Sequence, residues 1–238
     1  MKLLTLPWRA PRATLLPAAF YRRQWALLAV LAALFYAALG DGRLDHWLAA
    51  FSFDPLSQHF PLQHNWWLEY VNHVWLKDVS IVIGVAALGL GVFGPRFGLD
   101  AEAARRWRLA CAAMVVGSLS VSLLKQASPY HCPWDLLEFG GHAPYVPLLA
   151  SLPAGVPAGK CFPAGHASGG FVLMALYFVY AGERPRLAQA WLWGGLAFGL
   201  LMGVGQQLRG AHFLSHTLWS GWVVWAAMLA VNQLLGRR

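Results

Sequence analysis

The chain has 238 residues, of which 58% are hydrophobic and only 12% charged, and it carries a formal net charge of +8. So little charge on so much apolar sequence excludes an ordinary soluble globular domain. The positive excess follows the pattern of membrane topology rather than forming one basic face, which argues against a nucleic-acid-binding role.

The opening stretch, MKLLTLPWRAPRATLLPAAFYRRQ, is interrupted by Arg9, Pro11 and Arg12 before any long apolar core begins. It therefore does not read as a secretory signal. Residues 1–23 are expected to form a basic cytoplasmic arm, partly on the membrane surface. Six nearly charge-free runs follow, at 24–40, 79–95, 109–124, 167–182, 187–205 and 217–236. Their polar and aromatic flanks extend the shorter ones toward the roughly 20 residues that span a bilayer. The pattern predicts an all-α fold, a six-transmembrane-helix bundle forming one integral membrane domain over 1–238.

Between the first two runs, residues 41–78 are long, aromatic and weakly acidic. HNWWLEYVNHVW places Trp66, Trp67 and Trp75 where an interfacial helix in the first extracytoplasmic loop would sit, anchoring the bundle as an aromatic belt. His46, His59, His64 and His73 lie in the same segment without a recognisable metal-ligand spacing.

Basic residues sort by side. Lys2, Arg9, Arg12, Arg22 and Arg23 precede the first run, Arg96, Arg105, Arg106 and Arg108 separate the second from the third, Arg184 and Arg186 separate the fourth from the fifth, and Arg237 and Arg238 end the chain. The opposite side holds Arg43, Lys77, Lys125, Lys160 and Arg209, with most of the acids. The positive-inside rule then puts both termini in the cytoplasm of a multi-pass protein, expected in a bacterial inner membrane. All nine histidines fall on or at the edge of the other, periplasmic side, where chemistry is expected.

Two outward segments carry that chemistry. Residues 125–166 run from Lys125 to CFPAGH, a small-residue turn ending in His166 at the mouth of an apolar run. The turn between the last two runs reads GQQLRGAHFLSH, with Arg209 three residues before His212 and His216 four beyond it. A cation beside an imidazole is electrostatically awkward unless an anion binds between them. Lys125, Arg209, His166 and His212 together predict a phosphate pocket, with Gly165 letting backbone N–H groups approach the anion at a helix start and Lys160 adding charge. Two histidines suit metal-free phosphoryl transfer, one attacking phosphorus and the other protonating the departing oxygen.

The order Lys125, Cys132-Pro133, PAGH at 163–166 and His212 resembles the type-2 phosphatidic acid phosphatase superfamily of integral membrane phosphatases, over roughly 79–235. That resemblance implies His212 as nucleophile, His166 as general acid and Lys125 as a phosphate ligand. Its motifs differ at four positions: Cys132 and Gln206 stand where the family has arginines, Ala164 where it has serine, and His216 where it has the aspartate after the last histidine. Arg209 is the candidate to replace a lost guanidinium, and Gln206, His216 and Asp135 are candidates to orient His212.

Cys132 and Cys161 share one outward loop and are candidates for a disulfide tying that loop to the PAGH turn. A zinc site from Cys132, Cys161, His131 and His166 is a weaker alternative. The expected function is a metal-independent, cofactor-free phosphatase acting at the periplasmic face on a phosphomonoester or diphosphate of a membrane lipid, through a phosphohistidine. The lipid substrate and the bilayer are its expected partners, with no protein or nucleic-acid partner. Phosphate transfer to another lipid, a metal-dependent hydrolase using the His/Cys cluster, and a non-catalytic protein that binds anionic lipid remain alternatives.

Overall fold

The computed structural model describes residues 16–236. The expected roles of Lys2, Arg9, Arg12, Arg237 and Arg238 in the arm and tail lie outside the described residues. Helices dominate, and the described residues hold only two isolated bridge pairs of extended backbone.

Helix α1 covers Ala18–Leu39 and α2, a short one, Arg43–Ala50. A wide π-helical stretch, Trp67–Trp75, runs directly into α3, Leu76–Phe93. Helix α4 is Ala101–Gln126; α5 (Gly165–Phe171) and α6 (Leu176–Tyr180) are joined by a 3-10 turn at Val172–Ala175. Helices α7, Pro185–Leu208, and α8, Leu214–Leu235, complete the chain.

Among the described residues, five helical units are long and apolar enough to cross a membrane: α1, the unit Trp67–Phe97, α4, α7 and α8. The sixth apolar run appears as Gly165–Tyr180, a shorter helix broken by its 3-10 turn. The aromatic stretch expected to lie separately on the interface is continuous with α3. Its Trp66, Trp67 and Trp75 are exposed and pack edge-on against one another at the outer end of that unit.

Local chemistry accounts for the boundaries. The Asp100 carboxylate accepts the Ala103 N–H at 2.8 Å and caps α4, and Pro185 starts α7 where a helix needs no N–H. Inside the bundle, α4 packs along α8, flanked by α1 on one side and α3 on the other, and the broken helix wedges between α7 and α8. Small residues permit that wedge: a Cβ on Gly170 would lie 2.6 Å from the Gly199 Cα, so α5 and α7 touch backbone to backbone. Phe171, Leu176, Val224, Met228 and Leu229 fill the interior. Val82, Val85, Leu123, Trp193 and Leu201 point outward, as side chains do when hydrocarbon is the solvent.

The two ends of the bundle differ chemically. At one, Arg106 pairs with Glu183 at 2.5 Å and Arg105 donates to the Gly236 carbonyl at 3.2 Å, joining the start of α4, the turn after α6 and the end of α8. At the other, Phe60, Leu136, Phe139 and Phe213 form a small separate core that roofs the helices with the loops 51–66 and 127–164. Gly210, at φ +73°, makes the reversal between α7 and α8 in a left-handed conformation open to glycine, and its carbonyl accepts the Trp134 N–H at 2.9 Å.

Candidate active site

The roofed end gathers histidines from three distant parts of the chain. His212 sits in the α7–α8 turn just before the first residue of α8, and His216 lies one helical turn later. Their Nδ1 atoms are 3.3 Å apart, and both side chains are buried. Two facing ring nitrogens at this distance share one proton, so one ring donates and the other accepts. The Cys161 sulfur is 3.4 Å from the same His212 Nδ1. With Nδ1 occupied on that side, Nε2 is the ring nitrogen left for chemistry.

Cys132 and Cys161 form a disulfide, with Cα atoms 5.3 Å apart. It closes the loop between α4 and α5 and places its sulfur against His212. The PAGH turn is fastened to α8 in the same region. The Ala164 N–H donates to the His216 carbonyl at 3.0 Å, and the buried Ser220 hydroxyl donates to the Ala164 carbonyl at 2.6 Å.

His166 opens α5. Its Nε2 donates to the His73 carbonyl at 2.6 Å, leaving Nδ1 as the nitrogen able to receive and return a proton, and the two imidazoles meet edge-on at 3.7 Å. Lys125, in the last turn of α4, lies beside this turn. A Cβ on Gly165 would meet the Lys125 Cδ at 3.5 Å, an ordinary contact, so the glycine adjoins the lysine without being required by it. Burial first, and then the neighbouring His216, Lys125, His166 and His73, hold His212 well below the ordinary imidazole range. The ring is thus neutral at neutral pH, and His166 and Lys125 lie within electrostatic reach of it.

The other expected ligands are placed differently. Arg209 is buried, but its Nε donates to the Gln63 carbonyl at 2.8 Å, its Nη1 lies 3.4 Å from His73 Nδ1 and its Nη2 lies 3.7 Å from Glu69. It clamps the first outward segment to the α7–α8 turn and touches the site through His73. Gln206 donates to the Asn72 side chain at 3.2 Å and makes the same kind of clamp. Asp135 lies beside His131 and His142, and Lys160 is exposed with φ +51°. Of the candidates to orient His212, His216 is the one in contact with it.

Three participants were missed from the sequence: His73, Ser220 and Asp45. Asp45, on α2, is buried and accepts the Ser215 N–H at 3.0 Å, satisfying a free donor in the first turn of α8. Burial raises its carboxyl from 3.8 to about 6 against the opposing bonds from Ser215. It lines a cavity of about 30 Å³ with Tyr130, His131, Tyr145, Ser215 and His216, room enough for water on the far side of His216. An aspartate one loop removed carries no motif that would have singled it out.

A family model described as the PAP2 superfamily matches residues 106–238, more than half of the chain. The chain belongs to the PAP2 superfamily. No curated protein and no solved structure matches it. The matched span contains Lys125, His166, His212 and His216, whereas His73 and Asp45 come from the segment before it. PAP2 proteins act on phosphate esters, and in this member His216 is in direct contact with His212.

Proposed function

We propose that this PAP2 protein is a metal-independent membrane lipid phosphatase, hydrolysing a phosphomonoester or diphosphate of a lipid at the extracytoplasmic face of a bacterial plasma membrane. The observation that carries the proposal is the His212–His216 contact through Nδ1. It leaves a neutral His212 with Nε2 available in the company of Lys125 and His166.

In this reading the Lys125 ammonium binds the phosphoryl oxygens and neutralises charge that grows in the transition state. His212 Nε2 attacks phosphorus, and the P–O bond to the lipid breaks. His166, held by the His73 carbonyl, takes up at Nδ1 the proton that a phosphate monoanion brings, and delivers it to the leaving oxygen as the P–O bond breaks. His212 keeps its Nδ1–H directed at His216 Nδ1, so positive charge developing on the attacking ring is shared across that bond. Water, deprotonated by His166, then cleaves the phosphohistidine and releases phosphate. Arg209 and Gln206 act as positioning groups, holding His73 and Asn72 over the site.

The sidedness follows from the basic residues at the far end, including Arg105, Arg106 and Arg184, which favour the cytoplasm. A lipid substrate fits a site at one end of an apolar bundle, because a headgroup can enter there while its chains stay in the bilayer. The test is phosphate release by the purified protein from phosphatidic acid, phosphatidylglycerol phosphate and polyprenyl diphosphate in excess chelator, with lipid products measured alongside. Wild type releases phosphate and His212→Ala does not. Equal turnover by both contradicts the reading, and loss of activity in chelator contradicts its metal independence.

A further inference from the structure

The disulfide stands against His212, the proposed nucleophile, and its reduction would leave three ligand atoms, from Cys132, Cys161 and His212, within 4.8 Å of one another. We propose that reduced Cys132 and Cys161, with His212 Nδ1, form a three-ligand site, completed by water, for a thiophilic divalent cation such as Zn²⁺, and that filling it silences the enzyme.

The distances support it. Zinc–sulfur bonds of about 2.3 Å and zinc–nitrogen bonds of about 2.0–2.1 Å require tetrahedral edges of about 3.6 Å between nitrogen and sulfur. The Cys161 sulfur is 3.4 Å from His212 Nδ1. The ligand atoms of Cys132, Cys161 and His212 all lie within 4.8 Å of one another. Once the S–S bond is broken, the sulfurs need only separate to an edge of about 3.8 Å. Cys132, the less buried of the two, is the one free to turn. Cys161 and His212 are buried, so two ligands are fixed by packing before any ion arrives. Neither His131 nor His166 belongs to this set.

The redox step balances with a dithiol as reductant. One of its thiolates attacks the Cys132 sulfur, Cys161 leaves as a thiolate, and the reductant's second thiol displaces Cys132 as the reductant closes to a disulfide. The two protons of the dithiol pass to the two cysteines, and binding of the dication releases both again. Metal on His212 Nδ1 draws electron density from the ring and locks it into the cluster, so Nε2 no longer attacks phosphorus. The silencing rests on the phosphatase reading, whereas the metal site does not.

The experiment uses the full chain in detergent with Cys111→Ser, which removes the remaining cysteine. The protein is reduced with dithiothreitol, freed of it without air, and titrated with Co²⁺. The expected result is one equivalent bound per chain, with thiolate-to-cobalt charge-transfer absorption and the visible bands of tetrahedral cobalt, all displaced by Zn²⁺. The oxidised protein gives neither band. Adding Cys132→Ser with Cys161→Ser removes the charge-transfer band, and His212→Asn weakens binding while keeping it. Comparison of oxidised with reduced protein needs no further variant, so a folding failure in the serine forms leaves the test intact. Absence of stoichiometric cobalt, cobalt without a thiolate band, or unfolding on reduction, read by circular dichroism, overturns the proposal. In parallel, Zn²⁺ lowers phosphate release by the reduced protein at least tenfold and spares the oxidised protein. If the oxidised protein releases no phosphate at all, the phosphatase reading fails while the cobalt spectra still decide the metal site.

Discussion

Asp45→Asn tests how the roof is tied to the catalytic helix. The carboxylate is 2% exposed and accepts the Ser215 N–H, and burial lifts its pKa from 3.8 to about 6. The folded state therefore holds the proton more tightly than the unfolded chain. The stability linked to this group is complete below about pH 3.8 and is lost as the pH rises through about 6. At about 1.4 kcal/mol per pH unit, the shift corresponds to about 3 kcal/mol between those limits. Asparagine keeps the shape and the accepting oxygen but cannot ionise. Wild type should therefore lose about 3 kcal/mol relative to Asp45→Asn between pH 4 and pH 7.5, which is about 6–12 °C in apparent Tm for a chain of this size. Paired thermal melts in one detergent across that range read the difference directly, and pH effects common to both proteins cancel. A flat difference, or wild type gaining on the variant as the pH rises, would refute the reasoning.

Other outcomes follow from the same contacts. His216→Asp restores a carboxylate acceptor for the His212 Nδ1–H and should keep turnover within about tenfold of wild type, whereas His216→Phe removes the acceptor and should lower kcat by about 10²–10⁴; equal losses for the two would remove His216 from the orienting role. Ser220→Ala deletes the buried hydroxyl that fastens the Ala164 carbonyl and should cost about 1–3 kcal/mol, with a fall in kcat as the PAGH turn loosens. Melts and steady-state rates check both effects, and unchanged values would mean the turn is held elsewhere.

The sequence revealed most where the physics is local. Apolar runs set the spanning helices, and the histidines at 166, 212 and 216 stand in short motifs near turns. The broken helix at 165–180 was harder to foresee, because an apolar run looks the same whether its backbone is regular or tightened to pass between α7 and α8. Pairings over long chain distances were not legible. His73 meets His166 across 93 positions, and Asp45 meets Ser215 across 170. Nothing in the first outward segment separates His73 from its neighbouring histidines until the π-helical stretch aims its carbonyl at the site. Arg209 was legible as a cation near His212 and was read as a phosphate ligand. Its commitment to Gln63, Glu69 and His73 depended on where the first segment folds.

The central claim is that His212 carries the phosphoryl group between substrate and water. Rapid acid-free quenching of wild type turning over a labelled lipid phosphate, followed by peptide mass spectrometry, measures it most directly. The account predicts a base-stable, acid-labile phosphoryl group on His212, absent from His212→Gln and accumulating in His166→Ala when an activated aryl phosphate supplies the first step. Sustained turnover with no label on this histidine, or label on another residue that survives in His212→Gln, would contradict it.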